Sequence, residues 1–182
     1  NNVGVFEANY IGSGGTGRNT TVLRSNYIAP ESVPLYQKSL ELYQGLSEEL
    51  DYNLMVSRRG LLWLSHSEHT LNSQQERSSI NQQFGVETVF LNPEEIQKVC
   101  PTIDLQCGNR PILGGAYHPQ GSTIRHDAVA WGYAAGAHRL GVHIHQGVPV
   151  TNVLLENGKC VGIETPEGKV SAGSVHSAVG GY

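Results

Sequence analysis

Two stretches of this 182-residue chain have residue types and spacing suited to chemistry. The first is an acid followed by a glycine-rich loop. Val3-Gly4-Val5-Phe6 reads as a short apolar strand that ends on Glu7, and Gly12-Ser13-Gly14-Gly15-Thr16-Gly17-Arg18-Asn19-Thr20-Thr21 follows. An acid at the end of the second strand of a dinucleotide-binding βαβ unit accepts hydrogen bonds from the adenosine ribose hydroxyls. Glycines such as Gly14 and Gly15 let a ligand approach the backbone, and loop amides can donate to phosphate oxygens. Arg18 offers a charge-assisted contact to the same groups. Each has a plainer reading: an acid after a strand is usually solvated, and a polar glycine loop is usually just flexible. Asn19-Thr20-Thr21 also matches a glycosylation acceptor. The second stretch is Arg125-His126-Asp127, whose histidine by itself reads as a surface residue near a helix N-terminus.

Other histidines and the cysteines offer less. His143 and His145 alternate along one strand and face the same side, and His66 and His69 are one helical turn apart. Both spacings suit a metal, yet neither pair has an evident third ligand, so they read as surface or packing histidines. The three cysteines, Cys100, Cys107 and Cys160, lack metal-like spacing; Cys100 and Cys107 could pair, and buried thiols of a reduced, cytoplasmic protein are the favoured reading.

The elements that must position these groups alternate between strand and helix. Pro30 to Pro34 reads as a helix entry, with Leu35, Leu42, Leu46 and Leu50 recurring at helical spacing. Strands are expected over 54–57 and 60–64 around an Arg58-Arg59 turn. A very polar helix is expected over 67–84, ended by Gly85. A strand over 86–91 leads to Asn92-Pro93-Glu94-Glu95, a helix start with an N-cap, a proline at the first position and acids at the positive end. That helix stops before Pro101, and 112–117 is another strand. The best helix covers 127–140, with a small-residue face of Ala128, Trp131, Ala134, Ala135 and Ala137 and a cap at Gly141. A strand over 142–145 follows. Asn157-Gly158 then joins 148–156 to 159–165 as a hairpin. A turn at Glu167-Gly168 leads into 169–179, and Ala178-Val179-Gly180-Gly181 reads as a buried strand opening into a glycine turn.

The fold class is therefore α/β: a Rossmann-like nucleotide-binding domain in two parts, 1–50 and 120–182, around an α+β insert over 51–119; that the nucleotide is FAD and the insert a substrate domain is implied only by a family resemblance that four segments carry. The G-x-G-x-x-G loop of such a unit belongs about 20 residues upstream of its acid, whereas only Asn1-Asn2 precede the strand here. The sequence thus reads as a piece of the fold without its first strand, phosphate loop and first helix. On that reading these residues alone do not hold FAD tightly.

Composition excludes some classes. A net charge of −4 lacks the basic stripe of a nucleic-acid footprint. No apolar run approaches the roughly 18 residues of a membrane span.

Four segments carry a resemblance to the flavin-dependent amine oxidases of the D-amino-acid oxidase superfamily, and among them to the beta subunits of bacterial heterotetrameric sarcosine oxidases. They are the Gly12–Thr21 loop, Arg24-Ser25-Asn26-Tyr27, Arg125-His126-Asp127-Ala128-Val129-Ala130-Trp131-Gly132-Tyr133-Ala134, and Gly162-Ile163-Glu164-Thr165. The resemblance implies a non-covalent FAD and an FMN covalently attached through His126. A neutral imidazole is a competent nucleophile toward an activated flavin methyl carbon. It further implies that Glu7 binds the ribose and that Arg18, Asn19, Thr20 and Thr21 run along the pyrophosphate and isoalloxazine. The Val150 backbone would meet the adenine edge, and Ala178 and Gly180 would pack on the cofactor; Val179 is bulkier than the family's usual alanine. The implied activity is oxidative demethylation of sarcosine, with tetrahydrofolate as a one-carbon acceptor and hydrogen peroxide as product. Implied partners are alpha, gamma and delta subunits. Two rival readings remain: an FAD-only dehydrogenase or oxidase acting on dimethylglycine, glycine or a similar amine, and a non-catalytic flavin-binding subunit. A degenerate, inactive fragment is a third.

Overall fold

The computed structural model describes residues 2–106 and 108–181. In chain order its elements are β1 (Gly4–Glu7), a 3-10 turn (Gly15–Arg18), β2 (Val22–Leu23), a second 3-10 turn (Pro30–Ser32), α1 (Val33–Glu49), β3 (Ser57–Arg58) and β4 (Leu61–Ser65). There follow α2 (Glu68–Gln83), β5 (Val89–Leu91), α3 (Pro93–Val99), β6 (Gly114–His118), β7 (Ser122–Thr123) and α4 (His126–Arg139). The chain finishes with β8 (His143–Gln146), β9 (Asn152–Glu156), β10 (Lys159–Thr165) and β11 (Gly168–Ser171). Two compact units form: Asn1–Thr20 with Glu48–Leu54 and Arg125–Tyr182, and Thr21–Ser47 with Met55–Ile124.

In the first unit β1 pairs in parallel with β8, in the register Gly4↔His143 to Glu7↔Gln146. A parallel pair needs a crossover, and α4, which leads into β8, is the helix of that βαβ logic. The expected small-residue face of α4 is real but differently composed. Its closest packing runs through Gly132, where a Cβ would stand 3.0 Å from Leu54 and 3.3 Å from both Leu50 and Tyr52. Trp131, by contrast, is 46% exposed. Gly141, at φ +85°, ends the helix as expected. The hairpin β9–β10 turns on Asn157 (φ 50°) and Gly158 (φ 76°), the paired positive angles of a type I′ turn. β11 adds antiparallel to β10.

The final strand expected over 169–179 stops at Ser171, and 172–181 is irregular and mostly exposed. The physical reason is pairing. The Ala172 amide still donates to the Val161 carbonyl of β10 at 2.9 Å, but past it no described strand pairs with the segment, and unladdered backbone gains nothing from extension.

In the second unit β4, β6 and β5 form an antiparallel sheet with β6 in the centre. α2 and α3 pack on it. Leu91, Ile96 and Ile112 are buried there, with Leu62, Leu64, Ile103, Leu105 and Tyr117 against them. α3 starts as expected: Asn92 accepts from the Glu95 amide at 2.9 Å and Glu95 Oε2 accepts from the Asn92 amide at 2.9 Å. α2 starts on a second capping box, between Ser67 and Thr70, and Gly85 follows it at φ +70°. β2, β7 and β3 make a small antiparallel sheet.

Several strand expectations shorten. The strand expected over 54–57 reduces to Ser57–Arg58, because Met55 takes a positive φ of 55° that no strand tolerates. The strand expected over 86–91 begins only at Val89. Along α1 the buried positions are Val33, Leu40 and Leu46, with Leu50 just beyond, while Leu35 and Leu42 are 69% and 61% exposed. The leucine spacing thus marked the helix correctly and its buried face only in part.

The domain division expected at 50 and 119 differs from the compact units. Residues 21–47 pack with 55–124 rather than with the rest of 1–50.

Candidate functional site

Glu7 stands where two parallel strands end, the position at which open α/β sheets bind ligands. Its Oε1 accepts hydrogen bonds from the Asn9 amide at 2.8 Å and from Ser13 Oγ at 3.3 Å. Oε2 takes none among the described residues, so half of the carboxylate remains for a diol. The loop is tied to β8 as well. Gln146 Oε1 accepts from the Ile11 amide at 2.8 Å, and the Val148 amide donates to the Glu7 carbonyl at 3.0 Å. Gln146 was not singled out in the sequence; a polar residue opposite Glu7 in the parallel register is the signal that could have found it.

The loop itself closes tightly. A Cβ at Gly17 would run into the Gly12 carbonyl, so only glycine fits that approach. At Gly14 and Gly15 nothing lies within 4 Å of where a Cβ would stand, which leaves the backbone open to a ligand. Arg18 closes the 3-10 turn, and Asn19 Nδ2 donates to the Thr16 carbonyl at 2.5 Å. Thr20 is exposed, and Thr21, in the second unit, holds a positive φ of 60°. Val150 lies in the extended stretch between β8 and β9 and is 43% exposed. Ala178 and Gly180 lie in the irregular segment after β11, and neither donates to nor accepts from the Glu7 loop among the described residues. Glu7, Gly14, Gly15, Arg18 and Asn19 are thus brought together by one loop.

His126 is the first residue of α4. On either side of it Arg125 and Asp127 form a bidentate pair, with Nη2–Oδ2 at 2.6 Å and Nε–Oδ1 at 3.1 Å. Asp127 Oδ1 also accepts the Ala128 amide at 2.9 Å. The Arg125 hydrogen bonds, then that amide, hold the Asp127 carboxyl below its ordinary range. His126 Nδ1 is buried with no hydrogen-bond partner, so its lone pair or proton is uncommitted.

The second unit holds a cluster whose chemical role is not legible in the sequence. The Arg24 guanidinium lies 4.3 Å from the Tyr27 ring centre and 4.8 Å from that of Trp63. Arg77 covers Trp63 at 4.7 Å. Arg77 Nη1 donates to the Asn26 carbonyl at 3.0 Å. Arg24 Nη1, Arg77 Nε, Trp63 Nε1 and both side-chain polar atoms of Asn26 are buried without partners. The ion pairs among the described residues are Lys38–Glu41 and Arg125–Asp127, so no carboxylate neutralises either guanidinium. Burial, then the Arg24 charge, lowers the pKa of Arg77. Two guanidinium groups thus flank one indole with no carboxylate paired to either among the described residues. The alternation Arg24…Arg77 is invisible in sequence because 53 residues (77 − 24) separate them.

His66 precedes the α2 cap and its Nδ1 lies 2.9 Å from the Arg110 carbonyl, so it is not one helical turn from His69. His145 stacks on Phe6 at 4.7 Å. No group of three metal-ligating side chains occurs among the described residues. Cys100 and Cys160 are free thiols, and the Cys100–Cys107 pairing falls outside the described residues. No described helix is long and apolar enough to cross a membrane.

Comparison with known proteins identifies the family and the fold. The family model DAO, FAD dependent oxidoreductase, matches residues 1–182. Sarcosine oxidase subunit beta of Rhodobacter capsulatus is 40% identical over 181 residues, covering 100% of this chain and 44% of the relative. That of Rhizobium meliloti is 42% identical over 180 residues, covering 99% and 43%. The chain therefore spans less than half the length of these relatives. Among solved structures, L-proline dehydrogenase from P. horikoshii superposes with a TM-score of 0.83 at 25% identity, over 94% of this chain and 44% of that one. Glycine oxidase from Geobacillus kaustophilus gives 0.85 at 19% identity, over 95% and 47%, and shows the shared mixed α/β fold.

Proposed function

The chain belongs to the DAO family of FAD dependent oxidoreductases, and from that premise we propose that it is the cofactor-binding part of an enzyme that oxidises sarcosine. The observation that carries this reading is identity of 39–42% to sarcosine oxidase beta subunits along essentially the whole chain. When bound, FAD would supply hydride acceptance from the N-methyl carbon and FMN would supply electron transfer to oxygen, with hydrogen peroxide as product. The chain's own residues bind and orient. Glu7 offers its free Oε2 to the ribose. The open backbone at Gly14 and Gly15, with Arg18, Asn19, Thr20 and Thr21, lines the cofactor, and Val150 meets the adenine. Ala178 and Gly180 pack on the cofactor in the complete protein. His126, with an uncommitted Nδ1, carries the FMN. Residues 1–50 and 120–182 serve the FAD and 51–119 the substrate side. The unneutralised Arg24–Trp63–Arg77 cluster receives the carboxylate that distinguishes sarcosine from a simple amine. The complex further includes alpha, gamma and delta subunits in the cytoplasm, with tetrahydrofolate as acceptor of the one-carbon unit.

The test uses the full-length protein co-expressed with its partner subunits. Mass spectrometry of a digest should find one FMN on the peptide holding His126, and sarcosine should bleach the FAD absorbance. An unmodified His126 in an FAD-loaded, bleachable protein selects the FAD-only amine oxidation reading instead. Dimethylglycine dehydrogenase of Homo sapiens, 23% identical over 146 residues, is the kind of relative that reading points to. An FAD absorbance indifferent to any amine selects a non-catalytic subunit.

A further inference from the structure

We propose that His118 is a positioning residue: through Ser25 its neutral imidazole holds the segment that carries Arg24, and so sets where that guanidinium meets a substrate carboxylate. The proposal rests on the carboxylate reading of the Arg24 cluster.

The geometry is that of a two-ended tether. His118 ends the central strand β6 and is fully buried, as are Ser25 and Asn26. Its Nδ1 lies 2.8 Å from the Glu87 carbonyl, which can only accept, so Nδ1 carries the proton. Nε2 is then the acceptor, and it faces both the Ser25 amide at 3.5 Å and Ser25 Oγ at 3.4 Å. The next two residues are held separately. Arg77 Nη1 donates to the Asn26 carbonyl at 3.0 Å, and Asn81 Nδ2 to the Tyr27 carbonyl at 2.9 Å. Of these three ties, only the one at Ser25 can be undone by a proton near neutral pH. A second proton, on Nε2, would set N–H against N–H at the Ser25 amide.

The groups that face His118 come from several elements. Glu87 precedes β5 and supplies the carbonyl; Arg24 contributes a positive charge; Leu61 lies opposite on β4 and is apolar. Burial, the leading cause, and the Arg24 charge lower the His118 pKa, while the Glu87 bond raises it; the net direction is downward. The tether is therefore in place at neutral pH and fails in acid, and Arg24 loses its placement with it.

The full-length, FAD-loaded protein allows a direct test with acetate as the carboxylate probe, followed by titration calorimetry across pH. His118→Asn keeps a donor for the Glu87 carbonyl but cannot reach Ser25. It should raise the acetate Kd and the sarcosine KM on the order of tenfold. Its kcat and FAD content should stay near those of the parent, and the parent's acid-side loss of acetate affinity should vanish. His118→Gln, which can extend an acceptor to Ser25, should retain most of the affinity. Should His118→Asn not accumulate, Ser25→Ala carries the test: a rise of roughly threefold in acetate Kd supports the tether, and no change overturns it. Arg24→Met separates the two ideas. If Arg24→Met loses acetate while His118→Asn binds it as the parent does at every pH, the tether is wrong and the carboxylate seat stands. If Arg24→Met also binds acetate normally, the seat itself is wrong and the proposal falls with it.

Discussion

Individual side chains make the sharpest predictions. Glu7 commits one carboxylate oxygen to its own loop and keeps the other. Glu7→Gln preserves shape but replaces a charged acceptor with a neutral one. FAD affinity of the full-length protein should fall on the order of tenfold or more, read by titrating the apoprotein with FAD. His118 ties stability to pH. Its folded-state pKa lies below the ordinary 6.5, so between the two values the unfolded chain binds more protons. Stability should therefore be flat above about 6.5 and decline as pH falls below it. Thermal unfolding as a function of pH measures this, and His118→Gln should flatten the decline. The acid–loop pair was legible in sequence because its parts are contiguous. The Arg24, Trp63 and Arg77 stack was not, because three separate elements supply it. His118 was visible only as a histidine of unassigned role.

Elements were legible wherever local chemistry decided them. The Asn92-Pro93-Glu94-Glu95 start, the Asn157-Gly158 turn and the two glycines that follow α2 and α4 specify their own backbone, and the structure obeys them. Strands were less legible because a strand exists only if a partner does. Residues 173–179 were expected to extend a strand, yet no described strand pairs with them and they form none. Helix faces fall between these cases. The α4 surface that meets its neighbours is centred on Gly132, not on its alanines, because Leu50, Tyr52 and Leu54 come within 3.0–3.3 Å of the missing Cβ. Gly132→Val should cost about 1–3 kcal/mol by overpacking, seen as a lowered Tm. Gly132→Ala should cost less.

At the scale of the molecule, the chain passes between its two compact units at 20–21, 47–48, 54–55 and 124–125. Two of those crossings coincide with left-handed non-glycine residues, Thr21 at φ 60° and Met55 at φ 55°. A left-handed L-residue costs roughly 1–2 kcal/mol, more than the 0.5–1 kcal/mol or so that glycine loses in chain entropy. Met55 is 57% exposed, so Met55→Gly should leave Tm unchanged or raise it, whereas Met55→Ala should not raise it. Differential scanning of the two variants decides. A Tm drop with Met55→Gly as large as that with Met55→Ala would show that the side chain, not the angle, matters there.

The parallel register between β1 and β8 has a consequence for biosynthesis. Gly4 meets His143, so β1 leaves the ribosome 139 residues (143 − 4) ahead of its partner. At about 5–20 residues per second that is a wait on the order of ten seconds. The second unit, complete at Ile124, can close in the meantime. Until His143 emerges, the edge of β1 that β8 covers keeps its backbone groups unpaired. Nascent chains arrested before and after His143 should therefore differ in how readily a protease cuts near Phe6.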